Sequence, residues 1–142
     1  MDPKTTADRA GNPLWLLVLR IAIGASLAAL LWEFATAGQL VTFNTDALPL
    51  HYGGAFAVHA ATGVQLLAAL LVWRLPGAGS PGGPRHDRLV MVVSLLAFLL
   101  GFGQAALGTY GPLQAHVPLA MLLVALVVWS AVLVWGRRSR RG

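Results

Sequence analysis

The sequence predicts an all-α integral membrane protein: a four-helix up-down-up-down bundle with both termini in the cytoplasm. Three observations carry this expectation: a shortage of charge, four long apolar runs and a one-sided distribution of basic residues. Of 142 residues, 57% are hydrophobic and 11% charged, with a mean hydropathy of +0.71. A soluble domain carries roughly 25% charged residues, so this chain has too few polar side chains to coat itself in water. It has no cysteine, which excludes a disulfide framework, a thiol relay, an iron-sulfur cluster and covalent haem attachment through Cys-x-x-Cys-His.

A spanning helix needs roughly 20 predominantly apolar residues. The first run covers about 14–37 and ends before Gly38. Ala35-Thr36-Ala37 is similar to a signal-peptidase site, but the run is longer than the roughly 7 to 15 apolar residues of a signal peptide, so a retained helix is expected. The second run covers about 53–73, beginning between His51 and Ala55 and ending at Trp73, where Arg74, Pro76 and a Gly/Ser/Pro stretch close it. The third covers about 89–109 and the fourth 114–135. Residues 75–88 read as a flexible cytoplasmic loop and residues 136–142 as a basic cytoplasmic tail. Short loops favour antiparallel neighbours in a single domain.

Lys4 and Arg9 precede the first run, Arg74, Arg85 and Arg88 join the second and third, and Arg137, Arg138, Arg140 and Arg141 follow the fourth. Only Arg20 lies inside a run, near enough to its start to reach back to the headgroups. Residues 38–50 and 109–112 contain no Lys or Arg, so the positive-inside rule places both termini and the middle loop in the cytoplasm. The basic pI of about 11.2 is therefore a topology signal, and no nucleic-acid partner is expected. Trp15, Trp73 and Trp135 at one level, with Trp32, Tyr52 and Tyr110 at the other, form interfacial belts.

Polar groups inside the bilayer are costly and so informative. Arg20, Glu33, His59 and His116 lie within runs, with His51 at a boundary. Glu33 is near the outer end of its run and reads equally as a solvated boundary group or a functional one; Gln65 and Gln104 read as interhelical hydrogen-bonding groups, and His86 as a solvated loop residue. His59 on the second helix and His116 in the first turn of the fourth are candidate axial ligands of a non-covalent haem b, one per chain, because neutral imidazole suits that role. His59 lies 14 residues from Trp73 and His116 lies 13 from Trp129, which places them at matching heights. Measured to Arg74 and Arg137 instead, His51 matches His116 better, so the pairing stays open. Ala55 and Gly63 flank His59 by one turn, and Ala120 follows His116 by one turn, leaving clearance for a macrocycle. Pro118 fits the first turn of the fourth helix, which can spare an amide donor. Small residues also form stripes, Gly24 and Ala28 on the first helix and Ala97, Gly101, Gln104 and Gly108 on the third. Such stripes serve close helix contact or the face of a flat cofactor.

At these residues the chain resembles a known family. Gly103-Gln104-Ala105-Ala106-Leu107-Gly108, then Gln114-Ala115-His116-Val117-Pro118-Leu119-Ala120, resemble the third and fourth helices of one half of haem A synthase, and small four-helix bacterial haem-binding membrane proteins share the pattern. The resemblance implies axial histidines on the second and fourth helices, here His59 and His116. Two departures stand out. That family joins two such halves, and its second-helix histidine commonly has an Arg beside it where this chain has Ala60. The family also draws on an acid in the first outer loop, where Asp46 stands here. The resemblance thus implies haem binding more directly than synthase chemistry.

The expected function is a bis-histidine b-type haem protein of the cytoplasmic (inner) membrane, for electron transfer or haem handling, with no assignment as an enzyme. Its expected partners are the lipid bilayer, a redox partner or quinone, and a second copy or larger membrane complex. Two rivals remain: a small proton-coupled transporter using Glu33, and a cofactor-free accessory subunit.

Overall fold

The computed structural model describes residues 13–75 and 82–136. They form four helices, α1 (Pro13–Val41), α2 (Leu48–Arg74), α3 (Pro84–Tyr110) and α4 (Leu113–Trp135), with a single 3₁₀ turn at Thr45–Ala47. All four are long and apolar enough to cross a membrane, so the chain is a multi-pass membrane protein. The amino-terminal residues Lys4 and Arg9, the central part of the expected loop and the arginines from 137 onward lie outside the described residues.

Each helix starts and stops for a local reason. Pro49 and Pro84 occupy opening positions of α2 and α3, where the missing N–H costs nothing and the fixed φ suits the first turn. Both helices therefore begin about five residues before the apolar run does. His51 is helical, and Arg85 to Arg88 are the first turns of α3 rather than loop. At its other end α1 runs through Gly38 to Val41, then Phe43 takes a left-handed φ of 65°. That conformation turns the chain back, with Asn44 N–H donating to Gln39 O at 3.0 Å, and it holds the Phe43 ring outward. Gly111 and Pro112 alone connect α3 to α4.

Consecutive helices pack on one another and α1 packs on α4, which closes the ring and leaves α2 and α4 on a diagonal. The core joins Leu19, Ile23 and Leu30 of α1 to Val58, Ala68 and Val72 of α2, Val90 and Ala97 of α3, and Leu123 and Val127 of α4. Side chains such as Leu31 and Phe56, 72% and 78% exposed, point outward where hydrocarbon would be their solvent. Buried hydroxyls fall back on their own helices, since hydrocarbon offers no partner: Ser26 donates to Ala22 O at 2.9 Å, Thr62 to Val58 O at 2.7 Å and Ser130 to Leu126 O at 3.1 Å. Gln65 instead reaches across, its Nε2 donating to Ser94 Oγ at 3.1 Å.

Two expectations change. His86 is buried, with Nε2–H donating to Leu133 O at 3.0 Å, so it ties the start of α3 to the end of α4. Of the small-residue stripes, the one on α3 packs inward, whereas Gly24 and Ala28 face outward and a Cβ on Gly24 would meet nothing. Ala97 is completely buried at the centre of the inward stripe. Ala97→Leu is expected to force the helices apart and cost about 1–3 kcal/mol, visible as a lower unfolding temperature in detergent, while Gly24→Leu, on an open face, should raise that temperature slightly, through up to ~1 kcal/mol of helix propensity.

Candidate functional site

The α2 residues His51, Ala55 and His59 are spaced by four, so they stack on one helical face. That face turns toward the bundle axis at one end of the molecule. Glu33 of α1, Gln104 of α3 and His116 of α4 meet it there around a cavity. The polar groups that the bilayer makes most expensive, apart from Arg20, thus converge on one chamber. Arg20 sits elsewhere on α1 with its Nε buried and unpartnered.

Each imidazole has its Nδ1 held by oxygen. His59 Nδ1–H donates to Ala55 O at 2.7 Å, four residues back on its own helix, which leaves Nε2 as the bare nitrogen. That Nε2 is buried and has no partner. It faces Gly101 of the α3 stripe, where a Cβ would stand 3.5 Å away, and the Phe102 ring packs edge-on with its centroid at 4.5 Å. His116 Nδ1–H donates to Gln104 O at 2.8 Å, so its Nε2 accepts from Gln104 Nε2 at 3.0 Å. Gly108 lies close beside this ring, and a Cβ there would approach His116 Cε1 to 2.7 Å. His51 differs: its Nδ1 lies 3.0 Å from Thr36 Oγ1 and 3.3 Å from Glu33 Oε2. Thr36 Oγ1 itself donates to Trp32 O at 3.0 Å, so the Nδ1–H is left to point at the hydroxyl and carboxylate oxygens. His51 is also the ring nearest His116 in an edge arrangement, 6.5 Å between centroids.

The cavity has two lobes that share Glu33, His51, Ala55, His59, Gln104 and His116. One, of about 960 Å³ with its open mouth included, extends between α2 and α3 past Tyr52, Ala105 and Gly108. The other, of about 550 Å³, extends between α1 and α4 past Phe34, Val117 and Ala120. Both figures include space open to the surroundings; the space that the centre of a water-sized molecule can occupy is about 350 Å³ in the first lobe and about 70 Å³ in the second, so only the first reaches the roughly 300–1,000 Å³ of a small-molecule site.

Of the residues singled out in the sequence, His51, His59, Gln104, His116 and Ala120 line this chamber, and Gln104 is the direct partner of His116. Gly63 does not line it; that glycine seats Phe98 of α3, whose Cε2 a Cβ would approach to 3.3 Å. Asp46 stands in the exposed 3₁₀ turn. Pro118 is the sixth residue of α4, one turn deeper than expected, so it leaves the Gln114 carbonyl without its usual amide partner. The joint use of Glu33, Thr36 and His51 was not foreseen. The signal available was that Glu33 and Thr36 lie three residues apart, on one face of α1. No group of three or more His, Cys, Asp or Glu side chains placed to hold a metal ion occurs among the described residues; a site using two imidazoles falls below that number. Comparison of the chain with protein-family models, with curated proteins and with solved structures found no match.

Gly54 and Gly53 provide a matched test of the Glu33 position. A Cβ on Gly54 would collide with the Glu33 carboxylate and the Trp32 indole, whereas one on Gly53 meets nothing. Gly54→Ala is expected to lower stability by about 1–3 kcal/mol through overpacking, and Gly53→Ala to raise it by up to ~1 kcal/mol through helix propensity. Thermal unfolding of the two variants in detergent checks the opposite signs.

Proposed function

We propose that the protein is a b-type haem-binding protein of the cytoplasmic membrane, with His59 and His116 as axial ligands, serving electron transfer or haem handling. The observation that carries this reading is the state of the two imidazoles. They project from diagonal helices into one chamber, each with Nδ1–H spent on a backbone carbonyl, and ligating histidines are typically fixed in this way by their second nitrogen. The tautomer that results presents Nε2 as the electron-pair donor. At His59 that atom is a buried orphan, an arrangement that costs roughly 1–3 kcal/mol if nothing pairs with it. The inward glycines of α3 leave room beside the rings: Gly101 opposes His59 and Gly108 opposes His116, while Phe102 and Gln104 of the same helix touch the two imidazoles from other sides.

When bound, haem would supply one-electron chemistry at its iron, and His59 and His116 would hold it. The remaining tasks belong to this chain. Ala55 O and Gln104 O orient the rings. The Gln104 amide caps His116 Nε2 in the structure and has to swing aside for ligation, which makes it a placeholder for that lone pair. Val58, Ala120 and Leu123 keep the inner lobe apolar. Tyr52, Tyr110 and backbone amides are the donors near the outer mouth for propionates, as this end carries no Lys or Arg. The resemblance of Gly103–Gly108 and Gln114–Ala120 to haem A synthase supports the same ligand pair. His51 is not assigned as a ligand, because its Nδ1 serves Thr36 and Glu33.

A second reading rests on one observation. Glu33 Oε1 is buried without a partner while Oε2 meets His51, the placement a proton-coupled transporter would give its working carboxylate.

Purified protein from haem-replete cells is expected to show a Soret band and sharp reduced α and β bands. His59→Ala and His116→Ala should each abolish the low-spin spectrum, and His51→Ala should keep it. A colourless preparation whose substrate flux depends on Glu33 would replace this reading with the second.

The arginine distribution supports the up-down-up-down arrangement with α1 beginning and α4 ending in the cytoplasm. Because the chain lacks cysteine, single reporters are clean. Phe43→Cys should react with an impermeant maleimide on intact cells, and Arg85→Cys only after the membrane is opened.

A further inference from the structure

The two imidazoles assigned as ligands are held alike at Nδ1 and unlike at Nε2. His59 Nε2 is buried with no partner, whereas the Gln104 side-chain nitrogen stands 3.0 Å from His116 Nε2 and 3.3 Å from its Nδ1. Gln104 O takes the Nδ1–H at 2.8 Å, so one residue of α3 serves both nitrogens of this ring. Iron at His59 would break no hydrogen bond and would give an orphaned lone pair a partner. At His116 it has to displace an amide that is already there, which leaves that N–H without its acceptor.

The backbone beneath the rings differs in the same direction. His59 is the twelfth residue of α2, well inside its helix, and its Nδ1–H is tied to that same helix at 2.7 Å. His116 is the fourth residue of α4. Its amide reaches Pro112 O at 3.4 Å, long beside the roughly 2.7–3.2 Å of a firm bond. Pro118 then withholds the amide that the Gln114 carbonyl of this opening turn would accept. The larger lobe and Gly108 lie beside the ring, so it has space to move into.

We propose that His116 is an exchangeable axial ligand, with Gln104 as the positioning residue that receives its ring, and that the place it leaves takes a neutral diatomic gas. This rests on the haem reading and adds to it a function that electron transfer does not need. No electron or proton moves in the exchange: the His116 Nε2 lone pair leaves the iron and takes the Gln104 N–H, and the gas takes the vacated place. The lining selects the class. No Lys or Arg lines either lobe, so an anion finds no countercharge there. A neutral diatomic dissolves in hydrocarbon and needs no water-filled path.

The test is titration of haem-loaded, full-length protein, reduced with dithionite in lipid nanodiscs, with carbon monoxide as the probe. Saturable replacement of the low-spin α and β bands by a carbonyl spectrum is expected. His116→Ala should bind the probe on the order of tenfold tighter or more, because no ring competes for the site. After photolysis of the wild-type adduct, the iron–histidine stretch should match that of reduced His116→Ala, since His59 is the ligand left in both. Gln104→Leu should weaken the probe about 2- to 10-fold, as the released ring loses a hydrogen bond of that worth. Simple loosening of the site by this substitution would tighten the probe instead, and that result overturns the role given to Gln104. Low-spin bands that carbon monoxide leaves unmoved overturn the proposal and keep the haem. Equal affinity of wild type and His116→Ala also overturns it, as does a mismatch in the iron–histidine stretch, which would make His59 the ring that leaves. Colourless protein from haem-replete cells removes the haem reading and this inference with it.

Discussion

An imidazole in hydrocarbon has no water to complete its hydrogen bonds, and this constraint shapes the half of the molecule that holds the chamber. Each of the three rings at the chamber gives its Nδ1–H to an oxygen already inside. His59 takes the carbonyl one turn back on its own helix, His116 takes the Gln104 carbonyl of the facing helix, and His51 takes the hydroxyl and carboxylate of α1. Three neighbouring elements are thereby bound to one chamber, and in each case the donor is spent. Two of the remaining nitrogens are defined by this: one capped by an amide, one bare. The chemistry of the chamber follows from how few oxygens a membrane interior provides.

The same scarcity accounts for the lower half, where hydroxyls bond back to their own helices and a single glutamine crosses to a neighbour. The backbone needs nothing further there, because a helix satisfies itself. Small residues do the packing. Ala97 and Gly101 let α3 approach α2 closely enough for Gln65 to meet Ser94 and for His59 to lie against a glycine. Small size on this one stripe thus sets both the closeness of the core and the space beside the imidazoles.

The four helices were legible from the sequence because apolar length is a one-dimensional property that survives any rotation of the helix. Their first turns were not. Pro49 and Pro84 read as breakers within polar surroundings, yet both sit where a helix opens, so His51 and Arg85 to Arg88 proved helical. Rotation was the harder problem. A helix that is apolar on every face carries no amphipathic signal to say which side meets its neighbours, and so Gly24 and Gly101 looked alike although one faces out and the other faces His59. His59, His116 and Gln104 could be singled out because they are the rare polar groups, and the chamber is where rarity places them. Glu33 belongs with His51 for a reason that no linear pattern contains: α1 and α2 share the most extensive interface of any helix pair described, and they bring residues 18 apart in the chain to 3.3 Å.

The bond from His86 to Leu133 acts at the opposite end of the molecule. The last carbonyls of a helix have no amide of their own helix to accept from, and Leu133 O is among them in α4. A side chain from the start of α3 closes it, so the two strokes of this hairpin are latched at their far ends as well as joined at Gly111 and Pro112. α4 is therefore tied to α3 at both extremities, and of its two interfaces the one with α1 is the lighter. A hairpin latched in this way is held as one piece, like a book closed by a clasp as well as by its spine.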